Sequence, residues 1–215
     1  MAFSHDEFSS LPRVQQALLI AIGAIARPTG RVHLAEALAR TELWPEAALW
    51  ARKPLGMNPH LQALQRAGWI EEPRSGVWSC TADTREQAAR QAFREGRLRK
   101  LMAISHLPYA TEGAFTRMLG DLRLALFEGR SDQMWPLHQR IQELYGPELE
   151  YRDPLCLLCG EPFEADWFKG LEGEFRRSAA WSLVKDQLMF FRPNPAFCGW
   201  MDAQAQEPRS TGLFM

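Results

Sequence analysis

The chain has 215 residues, 46% of them hydrophobic and 24% charged, with 25 Lys and Arg against 26 Asp and Glu. This is ordinary composition for one large or two small globular domains, and it lacks the basic excess by which most polyanion-binding proteins are recognised. The longest apolar run, Ala17 to Ala26, is too short to span a bilayer, and the start MAFSHDEF is acidic where a signal peptide is basic, so no membrane partner and a cytoplasmic location are expected.

Charge is unevenly placed. Residues 1–84 carry eight basic and eight acidic side chains, residues 85–100 six and two, and residues 101–215 eleven and sixteen. A short basic segment thus separates a neutral region from an acidic one.

In chain order, Ser9 or Ser10 can cap a first helix with Pro12 in its opening turn and Val14, Leu18, Ala21 or Ile22, and Ile25 as its buried stripe. Pro28, Thr29 and Gly30 end it; Arg31, Val32 and His33 read as a short strand, and Leu34 to Arg40 as a second helix. The link from Thr41 to Met57 is long. Asn58 is then a good N-cap, Pro59 suits the first helical position, and Leu61, Leu64 and Ala67 recur at helical spacing before Gly68 stops the helix. Trp69 and Ile70 open a strand, Glu71 to Gly76 has the composition of a reversal, and Val77 to Thr81 returns.

Helix, short strand, helix, helix and hairpin, carried by TGRVHLAEALA, NPHLQALQRAGWIEE and a glycine-containing turn, resemble the winged helix-turn-helix superfamily over residues 11–81. The resemblance implies three helices with a small β-hairpin wing, and a second helix of the pair that many relatives place in the DNA major groove. It makes Asn58, His60, Gln62, Gln65, Arg66 and the wing residue Arg74 candidate DNA contacts, with Arg52 and Lys53 on phosphates. The long 41–57 link departs from the usual tight turn, and the weak positive charge favours the alternative, a protein-docking or purely structural unit on which the same side chains are an ordinary solvated face. Trp44, Trp50 and Trp69 read as core or lid residues.

Beyond the hairpin, Thr81 or Asp83 caps a long helix through REQAARQAFREGRLRKLMAIS. Arg90, Arg94 and Arg97 form one stripe along it, with Arg99 and Lys100 nearby, the strongest electrostatic candidate for a nucleic-acid backbone contact, although a solvated face paired with acidic residues of the second region is the more ordinary reading of such a run. Phe93 to Arg97 (FREGR) is echoed by Phe127 to Arg130 (FEGR), with glycines 33 apart, a helix-hairpin period in which each Gly would end the first helix of a pair and the next helix folds back. The expected architecture is therefore mainly α: a winged-helix domain over 1–84, an α-helical, tetratricopeptide-like domain over 85–191, with helices at Pro154 to Leu158 and Ser178 to Phe191, and a linker or disordered tail over 192–215.

Cys156-Leu157-Leu158-Cys159-Gly160 has zinc-knuckle spacing, but tetrahedral closure needs two further ligands, and Cys80, Cys198 and the five histidines are scattered. Buried free thiols are the simpler reading. Phosphate-loop, GxGxxG, GxSxG and HExxH signatures are absent, so neither catalytic residues nor a cofactor is expected. The segment PLCLLCGEPFEADWFKGLEGEFRRSAAWSLV, through Pro162, Phe163 and Trp167, resembles the N-terminal accessory region of large bacterial SNF2 or DEAD-box-type helicases. That resemblance implies a non-catalytic module that contacts DNA or a protein partner within a larger assembly or a longer chain. A stand-alone winged-helix regulator and a protein-binding scaffold are the alternatives.

Overall fold

The computed structural model describes residues 5–45, 47–105, 114–146, 153–160 and 162–206. It is mainly helical with a small antiparallel sheet, and it divides into two units, residues 1–144 and 145–215.

The first unit is built around one helix. After α1 (His5–Ser10), α2 (Arg13–Ile25) buries every residue from Ala17 to Ile25. The sequence predicted a stripe; the run LLIAIGAI is apolar on all sides, and such a helix is stable only when surrounded. Around it lie β1 (Thr29–Gly30), α3 (Arg31–Arg40), α4 (Ala47–Arg52), a 3-10 turn (Pro54–Met57), α5 (Asn58–Arg66), β2 (Ile70–Arg74), β3 (Val77–Cys80) and α6 (Ala82–Arg94). Helix α2 packs on α3, α5, α6 and β3, and also on α7 (Leu98–Ser105). The tightest crossing is with α6, where a Cβ added to Gly23 would lie 2.4 Å from the Ala88 Cβ.

The sheet order is β1-β3-β2, all antiparallel. Pro73, which has no N–H to give a ladder, falls on the edge strand β2, where the register slips by a bulge between Glu71 and Arg74. The sequence placed the first strand at Arg31 to His33. It is instead Thr29–Gly30, and Arg31 begins α3; Val32 has strand propensity but points outward from a helix whose Leu34, Ala35, Ala37 and Leu38 face the core.

The long helix read through residues 85–105 is two, divided at the repeated glycine. Gly96, at φ +68°, ends α6, and the Gly96 and Arg97 N–H groups donate to the Phe93 and Ala92 carbonyls. Gly129, at φ +66°, ends α8 (Ala114–Phe127) in the same way, ahead of α9 (Ser131–Tyr145), with Gly129 and Arg130 donating to Leu126 and Ala125. Phe93 meets Phe127 edge-on at 5.6 Å, and Arg99 grips Glu128 with two bonds of 2.7 and 2.8 Å. The sequence echo thus marks two equivalent helix stops. Gly96→Ala and Gly129→Ala are each expected to cost about 1 kcal/mol, because a Cβ disfavours left-handed backbone. Gly199→Ala, inside a helix with nothing within 4 Å, is expected to stabilise by up to ~1 kcal/mol. Chemical denaturation of the three variants checks the opposite signs.

The second unit contains α10 (Pro154–Cys159), α11 (Ala165–Lys169), α12 (Gly173–Phe190) and α13 (Pro195–Gln206). Asp153 caps α10 by accepting from the Leu155 N–H at 2.8 Å, and accepts from the Ser182 hydroxyl of α12 at 2.9 Å. Phe163, Phe168, Phe197 and Trp200 form an aromatic cluster that joins α11 to α13. Over 192–215, read from sequence as a linker or tail, the described part is α13. Asn194 accepts from the Phe197 N–H at 3.0 Å and Pro195 takes the first helical position, a start signal hidden in a Pro-rich phrase. Residues 207–215 lie outside the described ones.

Candidate nucleic-acid interface

Helix α5 is held by two side chains. Leu61 and Leu64 are fully buried, which turns Pro59, Gln62, Gln65 and Arg66 to the exterior. Its end is set by Gly68, whose N–H donates to Gln65 while the Trp69 N–H reaches back to the Leu64 carbonyl at 3.0 Å. Its start lies where the sequence reading put it, but without the cap. The 3-10 turn runs directly into α5, so Asn58 is already helical and its side chain makes no cap; the Oδ1 is buried without a hydrogen-bond partner. Asn58 is half-buried and poorly placed for a base contact.

The 41–57 link is not an open loop. It folds as α4 and the 3-10 turn, and α4 packs on α3. Trp44 stacks on Trp50 at 6.3 Å, and Trp50 faces His60 of α5 at 6.0 Å. His60 is thereby occupied by an aromatic neighbour. Trp69 is buried against Phe8. Arg52 and Lys53, where the link turns toward α5, are exposed, as is Arg74 at the hairpin.

The cations fall into two groups when their partners are compared. Among the described residues, Arg52, Lys53, Arg74 and Lys100 have neither an ion pair nor a hydrogen bond from the side chain, and Arg66 bonds only to the Gln62 carbonyl of its own helix, at 3.3 Å. The stripe on α6 is otherwise engaged. Arg90 is 1% exposed and so cannot reach a phosphate; the helix turns it toward the protein. Arg97 is half-buried, donates to the Thr41 carbonyl at the end of α3, and lies 3.8 Å from Glu95. Arg94 is exposed and within 3.5 Å of Gln91, and Arg99 is committed to Glu128. Of the predicted stripe and its neighbours, Arg94, Arg99 and Lys100 face outward, Arg99 with its guanidinium on Glu128.

The residues Glu86 and Arg123 carried no signal in the sequence. Arg123 of α8 donates Nε to Glu86 Oε2 at 2.7 Å and a second bond from NH2 to Oε1, both side chains nearly inaccessible. It is a buried bidentate pair that ties α6 to α8.

Cys156 and Cys159 are buried on α10, and no group of three or more metal-ligating side chains occurs among the described residues. Cys80 is buried too, and loss of hydration pushes its thiol up to about 12. Its folded state therefore holds a proton that the unfolded chain releases at lower pH, so this thiol's contribution to stability declines as pH rises from the ordinary thiol range toward 12. A thiol reagent at neutral pH is expected to label exposed Cys198 at once and the other three only on unfolding, as mass spectrometry of the labelled chain would show.

No helix among the described residues is long and apolar enough to cross a membrane. Comparison of the chain with family models, curated proteins and solved structures finds no match to any of them.

Proposed function

We propose that residues 11–81 are a winged-helix module that binds duplex DNA through the outward face of α5 and the residues flanking it. The carrying observation is the partition of the cations: Arg52, Lys53, Arg66 and Arg74 bracket α5 with no acidic partner among the described residues, whereas most of the α6 stripe is consumed inside the protein. In this reading those four take phosphates, while Gln62 and Gln65 reach base edges. Lys100 and Arg94 are secondary. The chain acts as a non-catalytic accessory part of a larger bacterial DNA-processing assembly, consistent with a sequence that carries no catalytic signature.

A salt titration of DNA binding tests the proposal. Substituting Arg52, Lys53, Arg66 and Arg74 by Glu is expected to abolish binding, and replacing them singly by Gln to lower the log–log salt slope by about 0.9 each. Arg94→Gln with Lys100→Gln should change affinity much less. If the unaltered protein shows no salt-dependent binding at low salt, the reading fails. A specific observation then favours a protein partner: Leu49 and Leu55, on either side of Arg52 and Lys53, and Val32 on α3 are all exposed.

A further inference from the structure

Helix α12 fastens one face and leaves the other bare. Phe175, Ala179 and Leu183 are buried, and α12 packs on α10. Trp181 is 63% exposed, Leu188 71% and Met189 65%, and Phe191, just past the helix end, 87%. Trp181 and Leu188 are two turns apart on one line, with Lys185 between them. Together the four apolar side chains present on the order of 600 Å², at the upper limit of what monomers leave open. Phe191 stands at φ +51°, the left-handed residue that ends α12, and its ring lies in water.

We propose that this face pairs with the same face of a second copy of the chain, the two α12 helices running antiparallel. The charges decide the occupant and the direction. With residue 183 of one copy level with residue 183 of the other, Glu174 comes opposite Arg192, the Lys185 ammonium opposite the Trp181 indole, and the aliphatic stem of Arg177 opposite Met189. Two-fold symmetry makes each pairing twice. A parallel arrangement would set Lys185 against Lys185 and Glu174 against Glu174. With the stems of Arg177 and Lys185 added, the apolar face approaches the ~800 Å² per partner of a standard interface. The inference is independent of DNA binding, since none of these residues belongs to the first unit.

Sedimentation equilibrium of the whole chain over a wide concentration range tests it. A monomer–dimer equilibrium is expected, and Trp181→Ser with Leu188→Ser should weaken it at least tenfold while leaving circular dichroism unchanged, because both side chains are exposed. Glu174→Arg and Arg192→Glu should each weaken the dimer severalfold, and the two together should restore it. A protein that stays monomeric throughout, a dimer indifferent to Trp181 and Leu188, or a charge exchange that fails to restore association would each overturn the proposal.

Discussion

Replacing Glu86 by alanine is expected to destabilise the first unit by about 3–5 kcal/mol, because it strands the Arg123 guanidinium away from water with its two charge-assisted bonds gone. That is a large share of the stability of an ordinary domain. Arg90 is buried one turn further along α6, so the loss also concentrates positive charge in a poorly hydrated place. Arg123→Ala should cost a similar amount for the complementary reason. Replacing both residues together, as Glu86→Leu with Arg123→Met, removes the stranded charge and should recover most of the loss. Urea denaturation of the three variants, read as a double-mutant cycle, measures this directly; additive losses would show that the two side chains do not act as a pair.

Gly23→Ala should be nearly as damaging, although alanine is the better helix former by about 1 kcal/mol. The new methyl would lie 2.4 Å from the Ala88 Cβ and 3.1 Å from the Arg85 carbonyl oxygen. Both obstacles are fixed to the α6 backbone, so no rotamer change relieves them and the two helices must separate. Since α2 is packed on all sides, separation loosens contacts elsewhere, and a net loss of about 2–3 kcal/mol is expected. The exchange Gly23→Ala with Ala88→Gly returns one methyl to the crossing and should restore much of it. A thermal midpoint for Gly23→Ala at or above that of the unaltered protein would show that the crossing yields more easily than its distances indicate.

Much of the architecture was legible where punctuation is local. Gly68 and the Ser75-Gly76 reversal locate the end of α5 and the hairpin, and the apolar run after Pro12 locates α2, because a left-handed turn or an all-apolar stretch admits few alternatives. Asn58 and Pro59 locate the start of α5, but the Pro54–Met57 turn leads straight into it and the cap is bypassed. Asn194 and Pro195 carry the same signal and also start a helix, in a stretch whose composition suggested a tail. The site was harder to read. Arg90, Arg94 and Arg97 fall at helical spacing in the sequence, and nothing in that spacing tells that Arg90 turns inward or that Arg97, past the stop at Gly96, meets the Thr41 carbonyl. Which cations remain free depends on residues tens of positions away, such as Glu128 for Arg99, and local pattern does not report such partners.

The crossing of α2 with α6 also bears on how the protein is made. During synthesis the segment that ends at Cys80 leaves the ribosome before α6, and until then the side of α2 around Gly23 has nothing to lie against. At about 5–20 residues per second, the interval is on the order of a second. The earliest moment at which this helix can reach its final surroundings is therefore set by the emergence of α6 and then α7, and not by completion of the sheet. A nascent chain stalled before α6 would be expected to hold α2 in a loose, protease-sensitive form, and one stalled well after it to resist cleavage there.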